Sequence, residues 1–213
     1  MSRLAAWAAL VAAQILLAYG SRASSGKPPK DVVYHYSLAV GGLVEYGIVI
    51  AVVLWIARGR VRELLALRRP SSLRIAVGAS VGLLVGIYVL SAILSSVLDP
   101  GREQGLTPSG WQPGHVGAFL ASFLVIVFVA PIVEEATFRG LGYSLLEPYG
   151  RAVAVVLVGL TFGLAHGLVE ALPLLAAFGA GLAIVRAWTG SLYPCIAVHA
   201  AFNAIALTVS VTT

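Results

Sequence analysis

The chain has 213 residues, of which 59% are hydrophobic and 11% are charged, and its mean hydropathy is +0.94. Soluble domains average roughly a quarter charged residues, so this composition excludes an ordinary soluble domain and indicates an integral membrane protein. The single cysteine, Cys195, excludes an internal disulfide framework and a CxxC metal site.

Seven apolar runs follow one another along the chain, separated by residues typical of turns. They cover residues 4–19, 38–57, 73–98, 116–133 and beyond, 152–169, 171–188 and 192–211. We therefore expect an all-α fold, a polytopic transmembrane helical bundle of about seven helices in a single domain over residues 1–213. The first run is short and small residues follow it near Ala23, as in cleaved signal peptides, but we expect it to be retained as a helix.

The net charge of +5 comes mainly from arginines in one loop, because six of them lie between Arg58 and Arg74. No aromatic residues interleave with them and an apolar run lies on each side, so we expect no nucleic-acid partner. The positive-inside rule predicts that this loop is cytoplasmic and that the 99–115 loop and the C-terminus are outside. The mildly basic segment from Arg22 to Lys30 disagrees with this topology. We expect a multi-pass plasma-membrane protein in contact with lipid, and the oligomeric state stays open.

The stretch APIVEEATFRG, residues 130–140, places two carboxylates and a guanidinium at the end of an apolar run. A charge in hydrocarbon costs at least ~2.5 to 3.5 kcal/mol, so such groups usually face a bundle interior or a water-filled cavity. Glu135 and Arg139 lie four residues apart on one helix face, whereas Glu134 points about 100° away. This predicts that Glu135 is tied to Arg139 and that Glu134 is available for chemistry. A purely structural ion-pair cluster, or an interfacial helix end, is the alternative.

Polar groups also interrupt two later apolar runs. His166 ends the stretch TFGLAH, and His199 and Asn203 lie four residues apart on one face of the last run. Each histidine alone also fits an ordinary hydrogen bond between membrane helices.

Counting residues from the predicted turns places these groups at similar depth. If the fourth helix continues to about residue 146, Glu134 lies 15 residues before Tyr149 and His166 lies 17 residues after it, roughly 20 Å from the turn. His199 and Asn203 lie roughly 14 to 20 Å from the same side. We therefore expect all four to converge in one layer. A fourth helix that stopped at residue 133 would prevent this.

The stretches EEATFR, FGLAH and HAAFN, in this order on successive late helices, resemble the three motifs of the CPBP intramembrane protease family. That family includes the CAAX prenyl protease of the Ras-converting type and bacteriocin-processing and self-immunity proteins of the Abi type. Its pattern of EExxxR, FxxxH and HxxxN is matched by Glu134, Glu135, Arg139, Phe162, His166, His199 and Asn203. The resemblance covers residues 116–205, and the first hundred residues carry no such signature.

The resemblance implies hydrolysis of a peptide bond within or at the edge of the membrane. The reaction needs a base for the attacking water and a donor or cation for the oxyanion. Glu134 is the expected base, His166 orients the water, and His199 with Asn203 holds the oxyanion or a metal. Phe162 is expected to pack against the imidazole or the substrate.

A metal is an open alternative, because Glu134, His166 and His199 make a reasonable catalytic zinc set with a position left for water. Asparagine is a poor zinc ligand, however, and the histidines come from separate helices instead of one HExxH turn. We therefore expect water activated by glutamate, either without a cofactor or with zinc.

Two other function classes also fit buried Glu, Arg and His. One is a small proton-coupled transporter, although neither broken helices nor repeated halves are visible in the sequence. The other is a non-catalytic binding or immunity protein.

For a protease, the substrate is a membrane-associated peptide or protein, and both a CAAX-type C-terminus and a leader peptide fit. We expect the site to open toward the cytoplasmic side, from which the depths were counted.

Overall fold

The structure is a computed structural model that describes residues 2–25, 31–95, 97–98, 103, 108 and 110–212. These residues are largely helical and include no strand. We name the helices α1 (Arg3–Ser25), α2 (Tyr36–Ala57), α3 (Val61–Leu64), α4 (Leu73–Leu94), α5 (Pro113–Tyr149), α6 (Arg151–Ala165), α7 (Leu172–Thr189) and α8 (Tyr193–Thr212).

The all-α polytopic bundle predicted from the sequence is confirmed, and the protein is an integral membrane protein. Every helix except the short α3 and the 15-residue α6 is long and apolar enough to span a membrane. The seven predicted runs correspond to α1, α2 and α4–α8, although α1 continues six residues beyond its predicted end at 19. Residues 26–30 and most of the predicted 99–115 loop lie outside the described residues.

The helices run alternately between two ends of the bundle. The arginine-rich end holds the start of α1, the segment between α2 and α4, and the α5–α6 and α7–α8 turns. Arg3 Nε there donates to Ile56 O at 3.1 Å, and Leu192 N donates to Ala66 O at 3.2 Å. The arginine-poor end holds the end of α1, the starts of α2 and α5, the α6–α7 turn and the end of α8.

The segment between α2 and α4 covers the arginine-rich end. Its Leu64, Leu65 and Ala66 are buried against the bundle. Arg68 Nε donates to Gly190 O at 2.7 Å, which ties the segment to the α7–α8 turn. This end of the bundle is therefore packed with side chains and held by hydrogen bonds.

Glycines bring helices into close contact around the later motifs. A Cβ on Gly163 would lie 3.0 Å from Ala176 N on α7, and one on Gly142 would lie 2.5 Å from the Trp7 ring on α1. Helix α1 is bound further by a hydrogen bond from Trp7 Nε1 to Thr137 O at 2.9 Å. The first helix is thus part of the core.

Glu103 fastens the turn that follows His166. Its carboxylate accepts from the backbone N–H groups of Val169 at 2.7 Å and Ala171 at 3.0 Å, and Arg22 Nη2 lies 2.8 Å from it. Burial by itself would raise the pKa of Glu103, but the backbone donors and the Arg22 cation outweigh it. The pKa is held below its ordinary value of 4.5.

These contacts of Glu103 predict that the stability of the protein depends on pH. Because the folded pKa of Glu103 is lowered, its contribution is present above the unfolded value of 4.5 and is lost as the pH falls through the folded pKa. We expect Glu103→Gln to lower the thermal midpoint at about pH 7. The difference in thermal midpoint between the variant and the parent protein should shrink as the pH is lowered. Tryptophan fluorescence during heating measures both midpoints. A difference between them that does not change with pH would contradict the role of Glu103.

Candidate active site

Helix α5 is not a regular α-helix where it carries the first motif. Glu134 and Glu135 lie in the α-helical segment Ala130–Glu135, which is flanked by the π-helical segments Val125–Val129 and Ala136–Gly142. π-helical turns are rare and often occur at functional sites, where they shift the register of the side chains that follow. The predicted continuation of this helix past residue 133 is confirmed.

Pro131 and the first π-helical segment leave one carbonyl of α5 without a helical donor. The N–H of Ala130 donates to Val125 O, five residues back, so Ile126 O loses its usual partner. The next donor along the helix would be Pro131, which has no N–H. Asn203 on α8 supplies the bond, because its Nδ2 donates to Ile126 O at 2.8 Å. The motif asparagine therefore joins the irregular helix to the last helix.

The predicted pair of Glu135 and Arg139 is confirmed and is fully buried. Arg139 Nη1 donates to Glu135 Oε1 at 2.8 Å, and its Nη2 donates to Gly179 O at 2.9 Å. His199 Nδ1 donates to the same carboxylate oxygen at 2.8 Å. The Glu135 side chain therefore accepts hydrogen bonds from both the Arg139 guanidinium and the His199 ring, and it orients His199.

Both histidines present the same ring nitrogen to the cavity. His166 Nδ1 lies 2.7 Å from Phe162 O, and a carbonyl oxygen only accepts. His199 Nδ1 faces the Glu135 carboxylate in the same way. We assign a proton to Nδ1 in each ring from these hydrogen bonds, so Nε2 is the nitrogen that each ring turns toward Glu134.

Glu134 lies between the two imidazoles. Its Oε2 is 3.9 Å from His166 Nε2 and 3.8 Å from His199 Nε2, and it accepts no hydrogen bond from any described residue. These distances exceed direct hydrogen bonds but suit a molecule that bridges the three atoms. The Glu134 side chain is 16% exposed and that of His166 is 26% exposed, whereas Glu134 Oε2 itself is buried.

Phe162 packs within the cluster and is itself fully buried. Its ring centroid lies 4.7 Å from that of His166 and 5.7 Å from that of His199. The Arg139 guanidinium stacks on the same ring at 4.2 Å. Phe162 therefore contacts both imidazoles and separates the buried cation from His166, and its role toward substrate stays a prediction.

Tyr46 on α2 is a site residue that the sequence did not reveal. Its hydroxyl donates to Glu134 Oε1 at 2.9 Å, which leaves Oε2 as the oxygen that faces the imidazoles. Tyr46 lies outside the motif region, within an apolar run where a tyrosine gives no signal of its own. Its neighbour Glu45 likewise carries no motif.

Tyr46→Phe is expected to lower kcat roughly 10- to 100-fold with little change in KM, because a hydrogen bond to a charged group is worth about 1.5 to 3 kcal/mol. The Glu134 carboxylate then rotates more freely, while the substrate cavity keeps its shape. Steady-state kinetics measure both constants. Tyr88→Phe is the matched control, because the Tyr88 hydroxyl is buried without a partner among the described residues. Equal kcat in the two variants would contradict a positioning role for Tyr46.

The cluster lies at the base of a cavity of about 420 Å³. Besides the site residues, its lining comprises Leu38, Ile126, Ala130, Leu168, Leu175, Phe178, Phe202, Ala206, Leu207 and Ser210. Leu38, Leu168 and Ser210 lie near helix termini at the arginine-poor end. The predicted opening toward the cytoplasmic side stays a prediction, because residues 26–30 and most of residues 99–109 lie outside the described part of the chain.

The proposed zinc ligands do not fit a metal as the structure places them. Ligands at about 2.0 to 2.1 Å from a tetrahedral zinc lie about 3.3 Å from one another, which is shorter than the separations of Glu134 Oε2 from the two Nε2 atoms. Within the described part of the chain, no group of three His, Cys, Asp or Glu side chains has a geometry that would hold a metal ion. The metalloprotease part of the prediction is not supported.

The fold and the site together define a class, a multi-pass helical membrane protein whose ionisable side chains meet in a cavity inside the bundle. Residues 116–205 match the family model described as Rce1-like, type II CAAX prenyl endopeptidase. This region, which holds all three motifs, is similar to that family. The match confirms the predicted resemblance and supports a membrane protease in general terms. No curated protein and no solved structure gives a match to the chain.

Proposed function

We propose that the protein is an intramembrane endopeptidase in which Glu134 activates water to hydrolyse a peptide bond of a membrane-associated peptide or protein. The observation that carries this proposal is the position of Glu134 Oε2, which lies 3.9 Å from His166 Nε2 and 3.8 Å from His199 Nε2, with all three side chains lining one cavity. A base, two nitrogens and space for a small molecule are what peptide hydrolysis requires.

In the proposed reaction, water between Glu134 and the imidazoles attacks the peptide carbonyl carbon, and Glu134 takes its proton. His166 accepts a second hydrogen bond from the water and orients it. The new C–O bond converts the carbonyl oxygen to an oxyanion. Collapse of this intermediate breaks the C–N bond, and the proton on Glu134 passes to the leaving amine.

The oxyanion is stabilised by donors on α8. His199 in its protonated form donates from Nε2, supported by the Glu135 carboxylate bound to its Nδ1. Asn203 uses one N–H for Ile126 O and has a second N–H to donate. Glu135 and Arg139 act through His199 and are positioning residues. This scheme has no step that needs a metal, and zinc dependence is left as an outcome of the experiments.

The description of the matching family model names CAAX prenyl endopeptidases, which supports CAAX-type processing as one candidate substrate class. CAAX-type processing and removal of a leader peptide are both compatible with the proposed chemistry. We further propose a location in the plasma membrane with the arginine-rich end in the cytoplasm, in agreement with the positive-inside rule.

The proposal is tested by mass spectrometry of peptides released from membranes that contain the full-length parent protein, Glu134→Ala or His166→Ala. We expect peptides that depend on the parent protein and disappear in both variants. Cleavage by both variants at the parental rate would overturn the proposed site. Leu175→Ile, a conservative change in the cavity wall, serves as the control for expression and folding.

A further inference from the structure

An open groove lies on the outer surface of the bundle at its arginine-rich end and shares no residue with the Glu134 cavity. Three helices line it, with Ile75, Gly78 and Ala79 from α4, Ala187 and Trp188 from α7 and Arg151 from the start of α6. The segments 58–72 and 190–192 connect helices at this end, and both are described. The groove therefore lies between well-placed parts of the chain.

The rim of the groove carries positive charge and an indole. The Arg151 side chain is 75% exposed, and its contact with Glu147 at 3.8 Å is an exposed ion pair of little strength. Trp188 is 61% exposed, and tryptophan favours the depth of the lipid headgroups. Arg74 is exposed and lies four residues before Gly78, on the same face of α4. No carboxylate lines the groove, so it attracts an anionic group at that depth.

An apolar channel continues from the groove along α4 toward the middle of the membrane. Its floor is a stripe of glycines four residues apart, at which an added Cβ would meet nothing within 4 Å: Gly78, Gly82 and Gly86. Exposed valines flank this stripe at Val77, Val81 and Val85. The stripe is about 12 Å long at 1.5 Å per residue, so an extended acyl chain could lie along it between the valine side chains.

Charge distinguishes between two occupants of this surface. Glycine stripes also bring membrane helices together, so a second copy of the chain is the competing occupant. Two copies share one orientation in the membrane, and pairing about a two-fold axis would place the Arg74 and Arg151 side chains of both copies at the same depth and close together. Like charges then repel. A phospholipid with an anionic headgroup instead meets the arginines with its phosphate and the glycine stripe with its chain.

We propose that this groove binds an anionic phospholipid, with the headgroup phosphate at Arg151 and Arg74 and one acyl chain along the glycine stripe of α4. Trp188 contacts the lipid at the level of the glycerol backbone. The proposal is independent of the proposed protease activity, because the groove lies outside the Glu134 cavity and the lipid takes no part in hydrolysis.

The test uses quenching of tryptophan fluorescence in the full-length protein. The protein is reconstituted into phosphatidylcholine vesicles that contain the same mole fraction of either brominated phosphatidylglycerol or brominated phosphatidylcholine. The bromines, placed near the headgroup end of the chains, quench indoles that they contact. Trp188→Phe retains the other three tryptophans, so its difference from the parent protein isolates the signal of the groove.

We expect phosphatidylglycerol to bind beside Trp188 at least about fivefold more tightly than phosphatidylcholine. The double variant Arg74→Gln with Arg151→Gln should lose this preference. Arg62→Gln is the matched control, because Arg62 is exposed at the same end and does not line the groove, and it should keep the preference.

Gly78→Leu tests the apolar part of the site with both arginines in place. Its side chain fills the start of the channel without a clash, so quenching of Trp188 by phosphatidylglycerol should fall. Gly47→Leu is the control, since Gly47 is equally uncrowded but lies on α2, and it should quench as the parent protein does.

Four results would overturn the proposal. They are equal binding of the two lipids, a preference that survives in the double arginine variant, and unchanged quenching in Gly78→Leu. The fourth is energy transfer between labelled copies that Gly78→Leu abolishes, since a second copy would then occupy the stripe. Inorganic phosphate added at constant ionic strength should leave the quenching unchanged, and a loss of quenching would show that the arginines take a free anion instead of a lipid.

Discussion

Glu134→Gln is expected to lower the rate of peptide hydrolysis by roughly 10²- to 10⁴-fold, because the amide does not accept the proton of the attacking water. Glutamine keeps the size of the side chain and an oxygen that accepts from Tyr46, so substrate affinity should change little. Single-turnover cleavage and binding of the same peptide, measured in detergent, separate the two effects.

The same variant distinguishes the protease from the two other function classes. A non-catalytic binding or immunity protein would keep its phenotype with glutamine at this position, since its affinity is retained. A proton-coupled transporter would lose transport without any change in released peptides. Glu45→Gln is the matched control, because Glu45 is adjacent to Tyr46 in sequence and does not line the cavity. Unchanged hydrolysis by Glu134→Gln would contradict its role as the base.

Arg139→Met is expected to lower the free energy of unfolding by about 3 to 5 kcal/mol, because it leaves the Glu135 carboxylate buried without its cation. Arg139 and Glu135 are both fully buried, so water cannot take over the interaction. Denaturant titration in detergent micelles measures the change, and the released Glu135 should also reduce cleavage through His199.

The double variant Glu135→Gln with Arg139→Met should recover part of this stability, since the uncompensated charge is gone. It should not recover cleavage, because the acceptor that orients His199 is weakened. Arg151→Met is the matched control, as its exposed pair with Glu147 at 3.8 Å is worth at most about 1 kcal/mol. Equal destabilisation by Arg139→Met and Arg151→Met would contradict the buried network.

The sequence predicts the bundle well because the membrane imposes a simple rule. Helices that cross it need long apolar runs, and turn residues separate those runs, so the helices α1, α2 and α4–α8 could be located. The i, i+4 spacing of Glu135 and Arg139 likewise predicts their pair, because local helical geometry fixes the distance between them.

Other features depend on contacts that no local pattern carries. The π-helical segments of α5 were missed because residue counting assumes a regular helix. The bond from Asn203 to Ile126 O follows from the carbonyl that Pro131 and the π-helical turn release. Tyr46 reaches Glu134 only because α2 packs on α5, a contact between distant parts of the chain that no local pattern predicts.

The most direct test of the central claim is single-turnover cleavage of one identified peptide by metal-stripped parent protein and metal-stripped Glu134→Gln. We predict that the stripped parent protein keeps its rate and that the stripped variant loses it. Loss of the parental rate on chelation with recovery on addition of zinc, or parental cleavage by Glu134→Gln, would contradict hydrolysis by a glutamate-activated water.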